Sequence, residues 1–145
     1  MEYGSLREKI AAGKIERKAK YASFAAAFAE ARAAGLAAGN AKRPVPMIVT
    51  QHENALDDNS AVKQQWFVEG GACGFAWVKV RNGNSSFAKW LMKNKLARKS
   101  YYGGVEISVH EHEQSIERKE AHASAMAKVL VEKLGVEAYA DSRMD

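Results

Sequence analysis

Residues 74–109 read GFAWVKVRNGNSSFAKWLMKNKLARKSYYGGVEISV, and the succession of patterns in this stretch decides the fold. From Phe75 to Arg81 the period is two. Ala76, Val78 and Val80 share one face, and Phe75, Trp77, Lys79 and Arg81 share the other, which predicts a strand. Asn82-Gly83-Asn84 is a turn. Asn84 or Ser85 caps a helix expected to run to about Ala97, with Phe87, Trp90 and Leu91 as its apolar stripe. Lys93, Lys95, Arg98 and Lys99 cluster at its end, where the helix dipole favours cations. Tyr101-Tyr102-Gly103-Gly104 is a loop. Alternation then resumes over 105–112, with Val105, Ile107 and Val109 on one side. Glu106, Ser108, His110 and His112 take the other.

Towards the C-terminus, Ser115 caps a long helix with Glu117 and Glu120 near its positive end. Its buried face is Ile116, Ala123, Met126, Val129, Leu130 and Leu134, and Gly135 ends it. His122 lies one turn from Met126 at the margin of that stripe. Glu117, Arg118, Lys119 and Glu120 read as solvated helix charge. Residues 136–142 form a last strand, with Tyr139 and Arg143 on its polar parity.

Towards the N-terminus, residues 5–38 read as an Ala-rich helix carrying Phe24 and Phe28 at i, i+4. Gly13 marks a break, and Gly35 and Gly39-Asn40 are stop signals. Pro44 and Pro46 enforce an extended stretch. Residues 47–50 form a short strand, 51–63 a polar loop, and 64–69 another strand. Gly70, Gly71 and Gly74 frame a turn.

The chain is therefore expected to be α+β. A helical segment over 1–43 precedes an α+β domain over 44–145. That domain holds a mixed sheet of about four or five strands, and right-handed crossovers place two helices on one face. The opposite face carries Phe75, Trp77, Lys79, Arg81, Glu106, Ser108, His110, His112, Tyr139 and Arg143. Packing of the first helix on that face is the expected arrangement and makes Phe75 and Trp77 core residues. Left open, such a face stacks bases and holds phosphates.

With 145 residues, 47% of them hydrophobic, the chain is long enough to bury a core and unlike disordered, collagen-like or disulfide-stapled proteins. No apolar run approaches the roughly 18 residues of a membrane span. The start, MEYGSLREK, lacks a signal peptide's apolar run, and Glu2, Glu8, Glu16 and Glu30 interrupt any transit-like pattern. The lone Cys73 cannot close an internal disulfide. A cytoplasmic protein is expected.

The net charge of +5 conceals an alternation: +5 over 1–43, −3 over 44–72, +7 over 73–104 and −4 over 105–145. Residues 73–104 hold seven Lys/Arg and no acid. Basic surfaces attract phosphate backbones and acidic proteins, although folding against the acidic C-terminal part would neutralise this one.

No spacing demands catalysis or a cofactor. His110-x-His112 offers two imidazoles to one side of a strand, a weak metal signal that His52, His122 or Glu106 would have to complete. Cys73 sits in a glycine-rich turn where no spacing selects a base, so it reads as a small residue beside a tight turn. Arg81–Ser86 joins a strand to a helix N-terminus, but no GxxxxGK[ST] or GxGxxG accompanies it.

The segments CGFAWVKV (73–80), YYGGVEISV (101–109), QSIERKEAHASAMAKVL (114–130) and AYADSRMD (138–145) resemble small, functionally uncharacterised proteins encoded by tailed bacteriophages. The similarity covers about residues 44–145. It implies phage origin and action in the host bacterial cytoplasm, and carries over no activity or site residue.

The function expected is a non-enzymatic binder of nucleic acid or of an acidic host protein, working through residues 73–104 and the first helix. Its contacts are Lys79, Arg81, Lys89, Lys93, Lys95, Arg98 and Lys99, with Trp77, Tyr101 and Tyr102 for stacking. The alternatives are an oligomeric structural or host-protein interaction module, with a homo-oligomer built through the Ala-rich N-terminal helix, or a small metal-dependent enzyme using His110 and His112. No membrane partner is expected.

Overall fold

Ser5 opens the longest element. Its hydroxyl accepts from the Glu8 amide at 3.1 Å, and the Glu8 carboxylate accepts from the Ser5 amide at 3.2 Å. This reciprocal capping box satisfies two amides that a helix start otherwise leaves open. The structure, a computed structural model, describes residues 5–145. Its elements run α1 (Leu6–Ala41), β1 (Met47–His52), β2 (Val62–Val68), β3 (Gly74–Val80), α2 (Ser86–Lys93), β4 (Arg98–Lys99), β5 (Val105–Ser108), α3 (Ile116–Leu134) and β6 (Ala138–Met144).

The architecture is α+β: three helices, the first of them long, and six strands in two antiparallel sheets. β1 and β2 form a separate hairpin, and the main sheet has the order β4-β5-β3-β6. In direction its strands are antiparallel throughout rather than mixed. The reason is β4, a two-residue strand that the alternation does not reveal. It turns the chain back through Tyr101–Gly104, so β5 runs opposite to β3. Over 74–144 this is the split β-α-β-β-α-β, or ferredoxin-like, arrangement. Topology of this kind assigns no activity.

The core lies between this sheet and the helices. Ala76, Val78 and Val80 of β3 and Val105 and Ile107 of β5 meet Phe87, Ala88 and Leu91 of α2 and Ala123, Met126, Ala127 and Leu130 of α3. Ser85 and Ser115 cap the two helices, and Gly135 ends α3 in a left-handed conformation (φ 65°). α2 stops at Lys93, short of the expected Ala97. Lys95 turns left-handed (φ 57°), and the Asn94 side-chain amide donates to the Trp90 carbonyl.

α1 is one uninterrupted helix, with no break at Gly13 and no stop at Gly35 or Gly39. It packs on the helices, not on the free sheet face. Phe24 meets Phe87 edge-on at 5.3 Å between ring centroids and Trp90 at 6.0 Å, and Phe28 meets Trp90 at 6.1 Å. Further along, Gly35 and Gly39 form a notch one turn deep. A Cβ on Gly35 would lie 2.5 Å from the His122 ring, and a Cβ on Gly39 would lie 2.1 Å from His112 Nε2. The glycines are thus a docking surface for the two imidazoles. They carry the helix close to α3, and this overrides their weak helix propensity.

Candidate functional site

Because α1 covers the helices, the other face of the main sheet is open. Its side chains form three cross-strand rows. Arg98, Glu106, Lys79 and Tyr139 are register partners in the first. Ser108, Trp77 and Asp141 make the second, and Phe75 and Arg143 the third. With the β4–β5 turn and the α3 N-terminus, these rows line a groove of about 940 Å³.

The expectation that the first helix makes Phe75 and Trp77 core residues is thereby corrected. Phe75 is 39% exposed and Trp77 half-buried. Positions i and i+2 on one strand face are about 7 Å apart, so the two rings stand as separate platforms. Tyr139 is 46% exposed, and Tyr101 and Tyr102 are each 91% exposed at the turn, edge to face at 4.9 Å. Gly104 allows this turn: its φ is 72°, and an added Cβ would sit 2.3 Å from the Val80 carbonyl oxygen.

Two cations flank Phe75. Arg143 Cζ lies 5.3 Å and Lys119 Nζ 5.6 Å from the ring centroid, within cation–π range. Lys119 is not the solvated helix charge expected. It is only 5% exposed, on the buried side of α3, with its amine reaching the groove. The first row is partly self-neutralised, two cations sharing one carboxylate. Lys79 Nζ donates to Ser100 Oγ, Ser100 Oγ donates to Glu106 Oε1 at 3.0 Å, and Arg98 Nε donates to Glu106 Oε2 at 3.2 Å.

Of the expected contacts, Trp77, Lys79, Arg98, Lys99, Tyr101 and Tyr102 line the groove together. Arg81 lies beyond the end of β3, 4.0 Å from Glu137. Lys89 and Lys93 sit on α2, in the layer behind the sheet, and Lys95 lines a second cavity beside Arg32 and Phe28. Phe75, Tyr139 and Arg143 share the Trp77 parity, so alternation alone places them on this face. Lys119 has no such signal.

His110 and His112 do not share a strand face. β5 ends at Ser108, and His112 and Glu113 are left-handed (φ 70° and 54°). His112 Nε2 lies 2.9 Å from His122 Nδ1, and His122 is 3% exposed, with Nε2 4.0 Å from Glu111. Burial holds both histidines below their ordinary pKa and outweighs Glu111, which pulls them up. Arg118 and Lys119 depress His112 further; His112 and Arg32 depress His122. The pair is built into the α1–α3 contact. Among the described residues no three or more His, Cys, Asp or Glu side chains form a group suited to a metal ion. No described helix is long and apolar enough to cross a membrane.

No family model matches the chain, and neither a curated protein nor a solved structure matches it.

Proposed function

We propose that the chain binds single-stranded nucleic acid across the open face of the main sheet. The observation that carries this reading is the pair Phe75 and Trp77, two aromatic platforms on the central strand of an uncovered sheet, with Lys119 and Arg143 in cation–π range of Phe75. Four-stranded sheets use such rings to stack splayed-out bases, and neighbouring cations to hold the phosphates. Phe75 and Trp77 receive one base each, with Tyr139 and Tyr102 extending the platform to either side. Lys99, Lys119 and Arg143 hold phosphates. Ser108 and His110 reach base edges. α1 and the α2 lysines lie on the other side of the sheet and take no part. The resemblance to bacteriophage-encoded proteins suits a binder working in a bacterial host.

Fluorescence polarisation with labelled single- and double-stranded DNA and RNA of about ten nucleotides tests this reading. Single strands bind more tightly than duplexes. With three phosphate contacts, the log–log salt slope is about −2. The same affinity for duplex, or no binding to any nucleic acid at low salt, contradicts the proposal. In the second case an acidic protein becomes the partner to seek.

A further inference from the structure

We propose that this chain forms a two-fold dimer in which the first half of α1 clasps the β1–β2 hairpin of a second copy. Both segments extend from the body, the helical one touching it through Lys20 Nζ, which donates to Ser86 Oγ at 3.0 Å. From Leu6 to Ser23 every residue except Gly13 is exposed, an overhang of about 27 Å at helical rise. The overhang carries apolar residues on the docking face of α1: Tyr21, and beyond Arg17 and Gly13 also Ile10 and Leu6, stand at helical spacing from Phe24, Phe28 and Ala31. A shallow apolar depression of about 370 Å³ runs along it, lined by Leu6, Ile10, Ala11 and the stems of Arg7 and Lys14. Apolar side chains thus recur on this face past the body it packs on, with cations between them.

The hairpin is similarly incomplete. Ile48 and Phe67 are register partners, 64% and 68% exposed, and Val49 and Trp66 are partners on its other side. An isolated two-stranded hairpin is marginal in water and needs a surface to cover one face. At its base the Val45 amide donates to Glu117 Oε2 at 2.7 Å.

Charge and geometry select the occupant. The overhang carries Arg7, Lys9, Lys14, Arg17, Lys18 and Lys20 against Glu8 and Glu16, a net +4. The hairpin region, residues 44–72, has a net −3 from Glu53, Asp57, Asp58 and Glu69 against Lys63. The two surfaces complement each other in sign and in apolar content. Within one chain they stand apart, because the overhang lies about 27 to 53 Å along α1 from the helix end that leads into the hairpin. A second copy placed antiparallel satisfies both at once, in the self-complementary manner of a two-fold interface.

Light scattering on the full chain over a concentration series tests it. Twice the 15.9 kDa monomer mass is expected at micromolar concentration. Ile10→Glu and Phe67→Glu, both at exposed sites, each weaken the dimer at least tenfold with the circular dichroism unchanged. The charge exchange is decisive. Lys14→Glu with Arg17→Glu weakens the dimer, as does Asp57→Lys with Asp58→Lys, and all four together restore it. A monomer at every concentration overturns the proposal. So does a dimer indifferent to Ile10→Glu and Phe67→Glu, or a fourfold variant that is not restored.

Discussion

Two glycine-to-alanine substitutions on one helix should act in opposite directions. At Gly13 the nearest atom to a new Cβ is Arg17 Nη1 at 3.8 Å, so the site has room. Alanine there gains helix propensity and stabilises by about 1 kcal/mol. At Gly39 a Cβ would stand 2.1 Å from His112 Nε2 and 2.4 Å from Cε1, so the ring must leave. Crowding of this kind costs about 1–3 kcal/mol. Moving His112 also removes the partner of His122 Nδ1, at a residue 3% exposed. A buried polar group left unsatisfied costs about 1–3 kcal/mol more. Subtracting the propensity gain leaves a net loss of about 3 kcal/mol, near 9 °C in Tm for a chain of this size. Thermal unfolding by circular dichroism of Gly13→Ala and Gly39→Ala beside wild type reads both effects. Gly39→Ala with His112→Ala should be less destabilised than the sum of the single changes, because the clash has gone. If Gly39→Ala stabilises as Gly13→Ala does, α1 does not dock on the histidine pair. The argument for an open sheet face then fails with it.

Stability should fall in mild acid. Burial keeps His112 and His122 below the ordinary histidine value, so the unfolded chain takes up their protons first. Their contribution is complete above about pH 6.5 and is lost as pH falls through the lowered folded values. Glu111, also lowered, acts in the same direction only below the ordinary carboxylate range. Urea midpoints between about pH 8 and pH 5 should decline on the acid side, and a flat profile contradicts the pairing. Ser100→Ala removes the acceptor of the buried Lys79 amine and should cost about 1–3 kcal/mol in chemical denaturation. Ser115→Ala removes the α3 cap and should cost about 1 kcal/mol by the same measurement.

Much of this fold is legible in the sequence because its elements carry strong local signals. The alternation through Ala76, Val78 and Val80 marks β3, and Ser115 and Gly135 bracket α3. What local pattern misses is set by tertiary contact. Gly35 and Gly39 look like stop signals, but their missing side chains admit His122 and His112, partners found some 80 residues away. The period of two over 105–112 includes His110 and His112 only until the chain turns left-handed to reach Ser115. β4 is two residues long, too short to show a period, yet it sets the direction of β5. For the candidate site, parity on β3 and β6 places Phe75, Trp77, Tyr139 and Arg143 together. Charge counting alone adds Lys89 and Lys93, which lie in another layer. It also mistakes Lys119 for a solvated residue, because the side of a helix that meets a sheet edge depends on the packing. The box Ser5-x-x-Glu8 is a readable start signal that the Ala-rich composition overshadows.

The most direct test of the account compares the two sides of the sheet in one binding titration. Phe75→Ala with Trp77→Ala changes the open face, and Lys89→Glu with Lys93→Glu changes α2 behind it. Each stacked base is worth about 1–3 kcal/mol. The aromatic pair should therefore lower affinity for a labelled single strand by at least about twenty-fold, at about 1.4 kcal/mol per tenfold. The charge reversal on α2, remote from the bound strand, should change it by only a few-fold. Affinity that survives loss of both rings and collapses on reversal of Lys89 and Lys93 would contradict the assignment of the open sheet face.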